Sequence, residues 1–63
     1  MLFVIKRLGR NKMWFLSEEY EWTAHRRLAL TFRTLEHARR AQATYGGFIF
    51  ESSINGDFIA VES

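Results

Sequence analysis

Three features of this chain predict an α+β fold in one domain spanning residues 1–63: a small antiparallel β-sheet, ordered β-β-(β)-α-β-β, packed on one helix. First, a single stretch, Thr34 to Gly47, has helical spacing with a start and a stop signal. Second, the segments around it are rich in β-branched and aromatic residues, as strands are. Third, Asn55-Gly56 separates two such runs, the pattern of a two-residue type I′ hairpin.

The elements follow in order. Leu2 to Lys6 reads as a strand with Phe3 and Ile5 on one face and Leu2 and Val4 on the other. It begins beside the initiator methionine, which reads as the start of a complete small protein. Leu8-Gly9-Arg10-Asn11 is a turn, because Gly and Asn tolerate positive φ. Met13 to Leu16 is a second strand that closes a hairpin with the first. Both strands are apolar on both faces, whereas a sheet covered on one side is usually polar on the other. The second face is therefore expected to meet something else. Ser17 to Glu21 is a polar loop, Trp22 to His25 a short third strand, and Arg26 to Leu30 an irregular or one-turn segment. Phe32 stands just before the helix and should pack under it as a staple.

Thr34 is the expected helix cap, since its hydroxyl can accept a first-turn N–H. Glu36 adds negative charge at the positive end of the dipole. Leu35, Ala38, Ala41, Gln42 and Tyr45 form the inward face, and Gly46 ends the helix at positive φ. A two-residue turn at Asn55-Gly56 sets Ile54 opposite Asp57, Ser52 opposite Ile59 and Phe50 opposite Val61. Phe48, Phe50, Ile59 and Val61 then meet the helix. Ile49, Glu51, Ser53, Phe58, Ala60 and Glu62 face away. The expected core is Phe3, Ile5, Trp14 or Phe15, Phe32, Leu35, Ala38, Ala41, Tyr45, Phe50 and Val61.

A chain of this size buries only about 60% of its unfolded surface, and no cysteine is present to add a disulfide or a thiolate metal site. The composition is 48% hydrophobic and 16% aromatic, more than one helix and one sheet can hide. Self-association or a partner surface is the outlet for the excess. The net charge of +2 is unevenly spread: residues 1–33 hold seven Lys/Arg and three acids, while residues 34–63 hold two Arg and four acids. A basic half favours nucleic acid or an acidic protein. No apolar run approaches the ~20 residues of a membrane helix, and Leu2 to Ile5 is too short for a signal peptide. A cytoplasmic location is expected, with no membrane partner.

The pair Trp22-Thr23 is followed at set spacing by Ala29, Phe32, Thr34 and Ala38, and Val4-Ile5-Lys6, Gly9 in the turn and Trp14-Phe15 precede it. In this pattern, over roughly residues 2–45, the chain resembles a group of small, mostly uncharacterised phage and prophage proteins. These have an apolar first strand ending in Lys, an aromatic second strand, a Trp-Ser/Thr pair and an Ala-x-x-Phe-x-Thr lead into one helix. The resemblance implies a compact hairpin-plus-helix protein made during infection or from a prophage, working in the host cytoplasm. The chain departs from the group at Arg26-Arg27-Leu28, where the group is more acidic.

No residue pattern points to catalysis. His25 and His37 lack metal-ligand spacing, Glu18, Glu19 and Glu21 lack the Asp/Asn/Gly pattern of a calcium loop, and no serine sits in an elbow context. Gly46-Gly47 follows a helix and so is a cap, not a phosphate cradle. The chain is therefore expected to be non-enzymatic, with no cofactor and no metal. Its expected activity is binding and modulating a host protein, such as a defence nuclease complex or the transcription machinery. Inhibition is the expected effect. The apolar sheet face, with Ile49 and Phe58, and the helix face with Arg39 and Arg40 are the candidate protein-binding residues. A second copy of the chain is the competing occupant of that surface. The alternative is nucleic-acid binding by a basic β-hairpin through Lys6, Arg7, Arg10 and Lys12, near Trp14, Tyr20 and Trp22.

Overall fold

The structure is a computed structural model, and it describes residues 2–52 and 57–61. Five strands, β1 (Leu2–Leu8), β2 (Met13–Leu16), β3 (Trp22–Thr23), β4 (Phe48–Ser52) and β5 (Phe58–Ala60), and one helix, α1 (Leu35–Tyr45), make up a small α+β fold. The strands form one antiparallel sheet in the order β3-β2-β1-β4-β5. A single 3-10 turn, Arg26–Leu28, follows β3. The one-turn reading of this segment agrees with that. The third strand is shorter than expected, because the Thr23 hydroxyl accepts the His25 N–H at 3.1 Å and turns the chain out of the ladder.

β1 lies at the centre of the sheet, which suits a strand that is apolar on both faces. It pairs with β2 at Lys6–Leu8 and with β4 at Leu2–Lys6. β2 is too short to cover the first half of β1, so the returning chain takes over. Phe3 and Phe32 exchange two backbone hydrogen bonds of 2.8 Å, and the Leu30 N–H donates to the Leu16 carbonyl at 2.8 Å. The central strand is thereby bonded on both edges, as buried backbone groups require.

The helix begins and ends where the sequence signals put it. The Thr34 hydroxyl accepts the His37 N–H at 3.2 Å. The Gly46 N–H donates to the Gln42 carbonyl at 2.8 Å, and Gln42 Nε2 donates to the Gly47 carbonyl at 2.9 Å. Both glycines have positive φ, +83° and +90°. Gly47 passes so close to β1 that a Cβ there would stand 2.9 Å from Ile5 Cγ2. Ala38 packs fully buried on Phe3, Ile5, Leu16 and Ile49. Trp22, Phe32, Leu35, Ala41 and Val61 surround this cluster.

The C-terminal hairpin differs from expectation in register and in facing. Ser52 stands opposite Phe58, and Phe50 opposite Ala60, one residue away from the pairing a two-residue turn imposes. The expected Asn55-Gly56 turn lies in residues 53–56, outside the described residues, as does Glu62. β4 also presents the opposite face to the helix. Ile49 is directly opposite Ile5 and buried in the core at 5% exposure, not on an open face. Phe48 and Phe50 point away from the helix. The physical reason lies in the small residues Ala38 and Ala41, which bring the helix close to the sheet and leave room for a branched aliphatic rather than two phenyl rings. Two further corrections follow. Ile59 lies on the helix side of β5 but beyond the cover of the helix and is exposed. Tyr45 is 40% exposed and stacks on Tyr20 rather than entering the core. Of the two expected core aromatics of β2, Phe15 is the buried one, as expected, and it lies on the face away from the helix.

Candidate interaction surface

The helix-free face of the sheet is formed by alternate residues of each strand: Leu2, Val4, Lys6 and Leu8 of β1, Met13 and Phe15 of β2, Phe48, Phe50 and Ser52 of β4, and Phe58 and Ala60 of β5. In a flat sheet β2 and β5 would be about 14 Å apart, three strand spacings of ~4.8 Å. The rings of Phe15 and Phe58 are nevertheless 5.9 Å apart, tilted at 50°. The sheet therefore curls toward this face and closes a trough over Val4 and Phe15, both buried.

Lys6 occupies the trough. Its Nζ lies 4.2 Å from the Phe50 and Phe58 ring centres and 5.6 Å from that of Phe15. Arg26, from the 3-10 turn, covers the outer side of Phe58 at 4.4 Å. Removal from water, and secondarily the charge of Arg26, hold the Lys6 amine below its ordinary 10.5. Ring faces attract a cation and return part of the desolvation cost.

The trough opens at one end onto uncovered apolar surface. Leu8 is 75% exposed, Phe48 66% and Met13 40%. Leu8 pairs directly with Met13, and Phe48 stands opposite Lys6, one diagonal step from Leu8. Three large apolar side chains on three adjacent strands thus form a continuous patch. The expected residues on this surface were Ile49 and Phe58. Ile49 is in the core, and Phe58 lies toward the other end of the trough, against Arg26. Leu8 was legible in principle, since it continues the Leu2-Val4-Lys6 alternation. Its place before Gly9 assigned it to the turn instead.

The four basic residues of the hairpin are not brought to one site. Lys6 points into the trough, and Arg7, its neighbour in the strand, points to the helix side over Trp22 at 5.0 Å. Lys12 lies over Trp14 at 5.4 Å, and the Trp14 indole in turn covers Gly9. Arg10 is exposed in the turn. On the helix, Arg39 is exposed, while Arg40 pairs with Glu36 at 3.0 Å, both largely in solvent. Among the described residues, no three His, Asp or Glu side chains gather as a metal site would, and no helix is long and apolar enough to cross a membrane. Comparison of the chain with protein-family models, curated proteins and solved structures finds no match.

Proposed function

We propose that this chain is a non-enzymatic binding module that docks a partner protein on the open end of its helix-free sheet face. The observation that carries this reading is the Leu8, Met13 and Phe48 patch. Soluble proteins rarely leave large contiguous apolar patches in water, and such patches mark interaction surfaces. In the setting the phage resemblance implies, the partner is a host protein that the module modulates. Nucleic acid has weaker support, because Lys6 and Arg7 point to opposite faces and cannot add to one phosphate-tracking site.

Affinity capture from nuclease-treated host lysate tests the proposal, comparing the parent with a Leu8→Ser, Phe48→Ser double variant. The expected result is one protein retained by the parent and lost by the variant. Retention by both, or loss of all partners on nuclease treatment, overturns it. The variant removes exposed groups only, so its folding should change by less than about 0.5 kcal/mol.

A further inference from the structure

The strand ladders separate the charges of this molecule along the sheet. The β1–β2 hairpin and its turn carry Lys6, Arg7, Arg10 and Lys12, and no acid occurs before Glu18. Glu18, Glu19 and Glu21 follow Ser17, which lies about 13 Å along β2 from Met13 at ~3.3 Å per residue. Glu51 stands opposite Phe3 and Ile59. Asp57 precedes Phe58, on the row of Ser52 and Leu2. Glu36 opens α1 and pairs with Arg40, and Arg27 shares an open hollow with Glu18, Glu19 and Glu21. The hairpin cations have no such neighbours. Arg7 lies over Trp22, Lys12 over Trp14 and Lys6 among three rings. Among the described residues, none of the four hairpin cations forms an ion pair.

This positive end is also the end that carries the apolar patch. Leu8 and Met13 flank the turn that holds Arg10, and Phe48 stands directly opposite Lys6. Lys6 shares the helix-free face with the patch, and no residue that the described strands turn to that face is acidic. Exposed apolar surface and uncompensated positive charge therefore coincide.

We infer that the segment docking on this patch is acidic, setting large apolar side chains on Leu8, Met13 and Phe48 and carboxylates toward Lys6 and Arg10. The inference rests on the docking reading above and adds the chemistry of the occupant. A second copy centred on the patch would set the same cations of both copies against one another. A flat bilayer suits a projecting surface, whereas the sheet curls toward this face and the patch borders a trough. Nucleic acid requires cations along one track, but Arg7 and Lys12 lean to the opposite face, over Trp22 and Trp14. An acidic segment needs opposite charge only beside its apolar contact, and the wider positive field of the hairpin speeds its encounter.

Fluorescence anisotropy with four labelled peptides of equal length tests the inference. Three intersperse leucine and phenylalanine with glutamate, with serine or with lysine. The fourth keeps the glutamates and has serine at every apolar position. The parent should bind the first about tenfold more tightly than the serine form, and the other two more weakly still. Raising the salt from about 0.05 M to about 0.5 M should remove most of the preference for glutamate. Lys6→Met and the Arg10→Gln, Lys12→Gln double variant should each reduce that preference about threefold. Arg27→Gln, Arg33→Gln removes the same charge from exposed sites elsewhere and should keep it. Equal affinity for the glutamate and serine forms, or an equal loss in the two double variants, overturns the inference. Tighter binding of a thymidine oligonucleotide or of phosphatidylserine vesicles than of the glutamate peptide overturns it too. So does a dimer in sedimentation velocity that Leu8→Ser, Phe48→Ser abolishes. The same variant separates the inference from the reading it rests on. If it binds every peptide as the parent does, the patch is not the docking surface. If it loses binding while the parent treats the glutamate and serine forms alike, docking stands and only the acidic chemistry falls. Far-UV circular dichroism of each variant establishes that it is folded.

Discussion

Gly47 is the residue at which local conformation and packing constrain the chain most tightly. Its φ of +90° already excludes most side chains, and a Cβ there would stand 2.9 Å from both Ile5 Cγ2 and the Lys6 carbonyl oxygen and 3.0 Å from the Trp22 ring. Two of these neighbours belong to the central strand and cannot retreat. Gly46 has a similar φ of +83° but open space around it. Gly47→Ala should therefore cost about 3 kcal/mol, strain plus overpacking, and Gly46→Ala about 1–2 kcal/mol from strain alone. Urea unfolding of the two variants measures the difference. Lys6 makes a second prediction. Its folded pKa is lowered from 10.5, so the unfolded chain binds this proton more tightly. Below the folded pKa the group costs stability, and the cost disappears as pH rises through that value toward 10.5. Lys6→Met keeps an apolar stem among the phenyl rings and removes the ammonium. At pH 7 its urea midpoint should equal or exceed the parent's, and the parent should gain on it between pH 7 and pH 10. A variant clearly less stable at pH 7 would mean that the ring contacts outweigh the desolvation.

Helix and strands differ in how much their stability is their own. α1 has a cap bond from Thr34, an exposed Glu36–Arg40 pair and one fully buried side chain, Ala38. An isolated helix of this length is marginal in water, so α1 depends on its cap and on the sheet beneath it. Thr34→Ala should cost about 1 kcal/mol, read as a lower thermal midpoint with an unchanged native far-UV spectrum. In the sheet, β1 is bonded on both sides while β5 is a three-residue edge. Edge positions open locally, whereas central ones exchange only on global unfolding. The loop from Ser17 to Glu21 behaves as an element of its own, because one buried serine hydroxyl organises it.

For the molecule as a whole, the margin is small. A domain below about 70 residues seldom gains more than ~3–5 kcal/mol from its core. Ile5 is fully buried between helix and sheet, in contact with the main cluster. Ile5→Ala should cost about 2–5 kcal/mol, comparable with the entire stability, and should leave the chain largely unfolded at 25 °C by circular dichroism. Leu28→Ala, at an exposed site, should change stability by less than about 0.5 kcal/mol. The curl of the sheet is the second whole-molecule property. It covers much of the second face from within, by the Phe15–Phe58 contact and Arg26, and leaves Leu8, Met13 and Phe48 exposed toward one end and Leu2 toward the other.

Sequence alone determined the order of the elements, the limits of the helix and its cap at Thr34, because those signals act over three or four residues. The alternation of β1 was legible for the same reason: Phe3 and Ile5 share a face whatever the rest of the chain does. Only the tertiary structure decided which face of β4 meets the helix. Phe48 and Phe50 are apolar, and so is Ile49 between them, so period-two alternation cannot choose. Pairing with Ile5 and the close approach of Ala38 choose Ile49. The hairpin register followed from contacts as well, and one residue of difference set Ile49 and Phe58 on opposite sides of the sheet. The dispersal of Lys6 and Arg7, the placement of Lys6 among three rings, and the meeting of Tyr20 with Tyr45 all join residues distant in sequence or on opposite faces of a strand. Composition could announce an excess of apolar and basic side chains, but their assembly into a patch and a trough required the chain to be folded.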